Sequence, residues 1–164
     1  MAKILVVDDS ADIRLLLSRT MKGAGYEVFQ ATDGSEVMSA VLSYQPDIVL
    51  LDVSMPKMDG FTAMGHLKAD PRTKSIPVIM ITAKGHPDDL DTARNLGALD
   101  YINKPWSNGE VELRVQWAIT ALEQQRAARL RRKAAMETSN SEMDELERRA
   151  AEEEEHSRND RLAS

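Results

Sequence analysis

Pro46-Asp47-Ile48-Val49-Leu50-Leu51-Asp52-Val53-Ser54-Met55-Pro56 is the stretch that decides the fold. Ile48 to Leu51 is an unbroken apolar run of strand length without polar alternation, as suits a strand buried on both faces of a parallel sheet. It stops abruptly on a carboxylate, Asp52, and a proline-containing turn follows. In open α/β sheets the carboxyl ends of the strands border the crevice where ligands bind, so Asp52 stands where chemistry is expected.

Outward from this strand the chain alternates. Lys3 to Val7 reads as a short apolar strand closed by Asp8-Asp9-Ser10. A helix follows with Ile13, Leu16, Leu17 and Met21 on one stripe, ending near Gly23 and Gly25. Tyr26 to Ala31 reads as a second strand. Asp33 and Glu36 have capping-box spacing and open a helix carrying Val37, Val41 and Leu42. Beyond the Asp52 strand and Met58-Asp59-Gly60, a short helix from about Phe61 to Lys68 is broken by Asp70-Pro71. Ile76 to Ala83 is the fourth strand, with its proline at the start, where a missing donor is tolerated. His86-Pro87-Asp88-Asp89 opens another helix, with acids at its positive end, and Gly97 stops it. Asp100 to Pro105 is a short fifth strand and its exit, and Ser107 with Glu110 forms a second capping box for a long last helix. Five strands alternating with five helices predict a doubly wound α/β fold, a parallel sheet covered on both faces.

The 164 residues divide unevenly. Residues 1–122 carry 16 acids and 12 bases and contain every aromatic residue, so the core is expected there; residues 123–164 form a charged helical tail with 11 acids and 9 bases. The net charge of -6 gives no general attraction to nucleic acid or acidic membranes. Without cysteine, disulfides and thiolate metal sites are excluded. No stretch approaches the roughly 20 apolar residues of a membrane span, and Met1-Ala2-Lys3 leads into a strand, so membrane insertion is not expected and a cytoplasmic location is.

Three strands end in Asp8-Asp9, Asp52 and Lys104, and a fourth in Thr82. Neighbouring parallel strands lie about 4.8 Å apart, so these side chains can converge at one edge of the sheet. Crowded carboxylates repel unless a cation sits among them, and an all-oxygen donor set without His or Cys favours Mg²⁺. A lysine opposite the metal would pair with a phosphoryl oxygen, and a threonine hydroxyl would bond another. The pattern suits phosphoryl transfer to a carboxylate, with Asp52 as acceptor. An acid at one strand end alone reads as a helix cap; the joint placement carries the chemistry.

Residues 3–121 resemble a two-component response-regulator receiver domain of the CheY-like family. Asp8-Asp9, Leu51 to Gly60, Ile81-Thr82-Ala83 and Tyr101-Ile102-Asn103-Lys104-Pro105 stand in that family's order and spacing. The resemblance implies a flavodoxin-like fold and phosphorylation of Asp52 by a histidine kinase or phosphotransfer protein. It implies that Asp9 and Asp52 bind Mg²⁺ with the backbone carbonyl of Ser54, and that Asp8 helps through a coordinated water. Lys104 would bridge to the phosphoryl group, with a cis Lys104–Pro105 peptide. Thr82 and Tyr101 would be the switch pair, Tyr101 turning inward as Thr82 is drawn to the phosphoryl group, so that a downstream protein partner meets a remodelled face. Ala83, being small, would leave the acceptor open, and Trp106 stands where the family commonly has Phe.

The tail leaves alternatives open. Heptad positions 115, 122, 129 and 136 read Val, Leu, Arg, Met, while 118, 125, 132 and 139 read Ala, Gln, Arg, Ser, a broken coiled-coil pattern. Thr138 to Ser141 is expected to interrupt the helix, with Ser141 and Asp144 capping a second one. Arg126 to Lys133 is basic and Glu152 to Glu155 acidic, so the blocks could pair between two chains as a homodimer, fold back on one, or simply be solvated. Direct nucleic-acid binding is not expected, because no aromatics interleave with the basic residues. His66, His86 and His156 are isolated and read as solvent-facing. A haloacid-dehalogenase-type phosphatase would need a second acid two residues after its nucleophile, where this chain has Ser54. The regulatory front of a larger enzyme, such as a diguanylate cyclase or kinase, is the remaining alternative.

Overall fold

The computed structural model describes residues 1–83 and 87–162. The elements are β1 (Lys3–Val7), α1 (Ala11–Gly23), β2 (Glu27–Ala31), α2 (Gly34–Tyr44), β3 (Ile48–Asp52), α3 (Gly60–Ala69), β4 (Val78–Thr82), α4 (Pro87–Asn95), β5 (Asp100–Asn103) and α5 (Glu110–Leu162). The strands form one sheet in the order β2-β1-β3-β4-β5, every pair parallel. Because β1 lies between β2 and β3, the chain leaves it in one direction and returns on the other side. That reversal opens a crevice at the carboxyl ends of β1 and β3.

All five residues of β3 and of β4 are buried, which is the physical meaning of their continuous apolar runs. Leu5, Val7, Val49, Leu51, Val78 and Met80 pack in one cluster with Val37, Ala40 and Val41 of α2, Ala63, Met64 and Leu67 of α3, and Ala93 of α4. The alternate residues Ile4, Val6, Ile48, Leu50, Ile79 and Ile81 point to the opposite face by the period of two. Leu17 and Met21 of α1 and Val111, Val115, Ala118 and Ile119 of α5 are the buried helical residues left to cover it.

Local differences from the sequence reading have local causes. Leu16 is half exposed and Leu42 also reaches solvent; the stripe of α1 is centred one residue further on, at Leu17, Ser18 and Met21. Asp33 caps α2, accepting from the Ser35 backbone N–H at 2.8 Å, but Glu36 does not return to Asp33. Its carboxylate instead accepts from the N–H and hydroxyl of Thr32, one residue earlier. At α5 half of the expected box forms: the Ser107 N–H donates to Glu110 Oε2 at 2.9 Å, while the Glu110 N–H goes to the Ser107 backbone carbonyl at 3.1 Å rather than to its hydroxyl. The His86 reading lies outside the described residues.

The chain divides into two units, Met1–Thr120 and Ala121–Ser164. In the second, the expected break at Thr138–Ser141 does not occur, and α5 has no fold-back. Thr138 turns its hydroxyl onto the Ala134 carbonyl one turn earlier, at 3.0 Å, so its polar group is satisfied inside the helix. Ser and Asn cost only a few tenths of a kcal/mol each relative to Ala in a helix, roughly, and do not break one. Among the described residues, no helix is long and apolar enough to cross a membrane.

Candidate functional site

β1 and β3 are hydrogen-bonded neighbours with Val7 beside Leu51, so the residues leaving β1 stand next to the end of β3. Carboxylate oxygens of Asp8, Asp9 and Asp52 lie within 4.8 Å of one another. Asp8 and Asp52 are buried, at 1% and 4% exposure, whereas Asp9 is open to solvent. Lys104, directly after β5, extends over the sheet edge; its Nζ donates to Asp8 Oδ2 at 2.7 Å and lies 3.3 Å from Asp52 Oδ1. The Lys104–Pro105 peptide is cis.

Asp8 is fixed at both oxygens, because Oδ1 accepts the Ser10 N–H at 2.9 Å. Its carbonyl accepts from the Arg14 guanidinium at 2.8 Å. Arg14 is absent from the sequence-based site. A cation near the positive end of a helix is locally unfavourable, and that misplacement is the signal that it has a partner elsewhere.

The charges do not balance: three carboxylates face one ammonium. Burial, then repulsion from Asp8, pushes the Asp52 carboxyl up to about 6, against the pull of Lys104. Burial opposes the charge on Lys104, but its hydrogen bond to Asp8 and the field of Asp52 win and hold it above the usual lysine range. A donor set made only of anionic oxygens, with negative charge in excess, fits a hard divalent cation such as Mg²⁺. Ser54 is exposed in the loop two residues past Asp52.

That loop is held by close backbone contacts. A Cβ on Gly60 would stand 2.1 Å from the Asp52 carbonyl oxygen, and one on Gly34 would stand 2.4 Å from that of Met58. Both neighbours are backbone, so only glycine fits. The Gly60 N–H donates to the Val53 carbonyl at 2.8 Å, returning the chain to the strand end it has just left. Lys57 adopts a left-handed φ of 65° at the tip, and its ammonium lies 3.4 Å from the buried Asp33, tying the loop to α2. The sequence marks Asp33 only as a helix cap; its pairing with Lys57 is set by the fold.

Thr82 ends β4, buried, and pairs in register with Asn103. Tyr101 lies two residues earlier on β5, partly buried against the core, with its hydroxyl already inside. Burial raises its pKa; Thr82, near enough to interact without an aligned hydrogen bond, opposes the shift, and Asp89 adds to it. Ala83 is exposed, and Trp106 is half-buried.

The structure thus places an acid cluster and one lysine at the switch point of a doubly wound parallel sheet. The family model for the response regulator receiver domain matches residues 4–116, and the chain belongs to that family. Among curated proteins it is 41% identical over 116 residues to the DNA-binding dual master transcriptional regulator RpaA of Synechocystis, a match covering 71% of this chain and 48% of that protein. It is 38% identical over 113 residues to the phosphate regulon transcriptional regulatory protein PhoB of Pseudomonas aeruginosa, covering 69% and 49%. The chain thus spans about half the length of these relatives. Among solved structures, the chemotaxis protein CheY4 of Vibrio cholerae superposes with a TM-score of 0.68 at 33% identity, covering 72% of this chain and 98% of that one. The receiver domain of a signal transduction histidine kinase from Syntrophus aciditrophicus gives 0.69 at 30%, covering 74% and 92%. The chain is therefore a receiver domain of the two-component response-regulator class, with a flavodoxin-like, CheY-like fold and a long C-terminal helix.

Proposed function

We propose that Asp52 accepts a phosphoryl group from the phosphohistidine of a histidine kinase or phosphotransfer protein, and that this switches the chain's interaction with a downstream protein. The observation that carries the reading is the convergence of Asp8, Asp9 and Asp52 within 4.8 Å beneath the ammonium of Lys104. In the transfer an Asp52 carboxylate oxygen attacks phosphorus, the P–O bond forms, and the P–N bond breaks with its electron pair returning to the imidazole. Asp52 is the nucleophile because it is buried at the strand end, where its carboxylate is poorly solvated. A bound Mg²⁺, held by Asp9, Asp52 and the Ser54 carbonyl with Asp8 acting through water, would neutralise charge on the phosphoryl oxygens. Lys104 trades its contact with Asp52 for one with a phosphoryl oxygen while keeping its bond to Asp8. The Thr82 hydroxyl bonds the added group, and Tyr101, whose hydroxyl is already inside, is fixed there by the shift.

The chemistry is the chain's own phosphorylation and dephosphorylation, without turnover of a separate substrate. A second reading is favoured by the coverage of the relatives: the chain is the regulatory part of a longer output protein, whose DNA binding or enzymatic activity lies beyond these residues. The two readings share the Asp52 chemistry.

The test is incorporation of label from a phosphorylated histidine kinase or from acetyl phosphate. Wild type is expected to take up one phosphoryl group with Mg²⁺ and none with EDTA, and Asp52→Ala none while keeping its helical circular dichroism. Labelled, folded Asp52→Ala protein would overturn the assignment.

A further inference from the structure

Among the described residues of the second unit, only Leu122 and Glu145 are other than exposed. A helix of this length takes most of its stability from packing, and this one presents an open seam. Met136, Met143 and Ala150 recur every seven residues, and Ser139 and Leu146 follow three residues after the first two, as heptad a and d positions do. Met136, Met143 and Leu146 are 68%, 54% and 60% exposed.

The same stripe continues into charge. Arg129 and Arg132 lie on it before the apolar stretch, and Glu153 after it. In a parallel pair of such helices, Arg129, Arg132 and Glu153 would each face its own copy in the seam, which is repulsive at every charged level. In an antiparallel pair with its two-fold at Ser141, Met136 faces Leu146 of the second copy and Ser139 faces Met143. Arg132 faces the small Ala150, and Arg129 faces Glu153, its opposite charge. The flank agrees, since Lys133 lies near Glu147 of the second copy. The single opposed like pair, Glu142 with itself, sits at the solvent edge. Sliding the pair by one heptad sets Met136 against Glu153 in one direction and Met143 against Arg132 in the other, so either slip places a charge against a methionine of the dry contact. The helix dipoles also oppose one another in this arrangement.

We propose that the tail is a self-recognition surface: it binds a second copy of itself as an antiparallel coiled coil over Gln125 to Ser157, a span of about 50 Å at 1.5 Å per residue. Arg129 and Glu153 set the orientation, and Met136, Met143 and Leu146 supply the dry contact. This is independent of the chemistry at Asp52.

The chain has no cysteine, which makes the test clean. Gln125→Cys and Ser157→Cys are uncharged seam substitutions that face each other only in the antiparallel register. Mixed, the two full-length variants are expected to give a disulfide-linked dimer on mild oxidation, while neither variant alone does so, its two thiols being about 48 Å apart. Self-linking of each variant alone would show a parallel pair and overturn the proposal. So would a wild type that sediments as a monomer at the concentration of the cross-linking. Arg129→Glu is expected to abolish the mixed cross-link, and Arg129→Glu with Glu153→Arg to restore it; a cross-link indifferent to both would remove the charge basis of the register.

Discussion

A carboxylate buried against Asp8 beneath one shared ammonium is held in a state that costs free energy, and Asp52 is that carboxylate. Its pKa in the folded chain, about 6, lies above the ordinary 3.8. The preference of the folded state for the proton is therefore fully expressed below pH 3.8 and is lost as pH rises through about 6. At pH 7.5 without metal, the ionised group costs on the order of 2–3 kcal/mol. Asp52→Asn is expected to raise the urea midpoint at pH 7.5 in EDTA, with the gain fading below pH 4. A midpoint lowered at pH 7.5 would contradict the burial account. Lys104 is the converse case. Lys104→Ala leaves the three acids without their cation and is expected to cost about 2–4 kcal/mol in metal-free protein. Mg²⁺ should then raise the melting temperature of Lys104→Ala by more than that of wild type, because the divalent ion no longer competes with the ammonium. Paired thermal melts with Mg²⁺ and with EDTA measure this; equal shifts would show that Lys104 does not offset the acidic cluster.

At the scale of the element, the loop from β3 to α3 decides where Asp52 sits. The Gly60 contact with the Asp52 carbonyl leaves no room for a methyl group, and backbone cannot rotate aside as a side chain can. Gly60→Ala is expected to cost about 2 kcal/mol or more by denaturant unfolding and to slow phosphorylation. Gly65→Ala, with nothing near its Cβ, should leave both close to wild type. Loss of labelling without loss of stability in Gly60→Ala would mean that the loop governs chemistry alone. The strands were legible in the sequence because β3 and β4 are buried on both faces, and such burial writes itself as an uninterrupted apolar run. The acids and lysine were legible because each sits at a strand end. Arg14 and the Asp33–Lys57 pair were not, because their partners are a backbone carbonyl and a residue 24 positions away, set by folding rather than by period. Leu16 and Leu42 misled for a related reason: an apolar stripe on an amphipathic helix fixes the buried face only to within about one residue's rotation.

The whole molecule joins a packed α/β unit to a helix that buries almost none of its own surface. Val111, Val115, Ala118 and Ile119 complete the sheet's cover before Gln125. A chain ending at Gln125 is therefore expected to melt within about 4 °C of the full chain at dilute, monomeric concentration and to be labelled at the same rate. A collapse of its melting temperature would place part of the receiver's stability in the tail. The tail was the least legible segment, since Thr138 to Ser141 looks like a break by composition. Helical hydrogen bonding absorbs it, with Thr138 bonded to Ala134.

The central claim is that the phosphoryl group rides on the Asp52 carboxylate. The most direct measurement is borohydride reduction of the phosphorylated full chain followed by peptide mass mapping, because an acyl phosphate on aspartate is reduced to homoserine and an ordinary carboxylate is not. Homoserine at position 52 alone, and only after phosphorylation with Mg²⁺, is the expected result. Homoserine at position 8 or 9, or a phosphoryl group on a residue that borohydride leaves untouched, would contradict it.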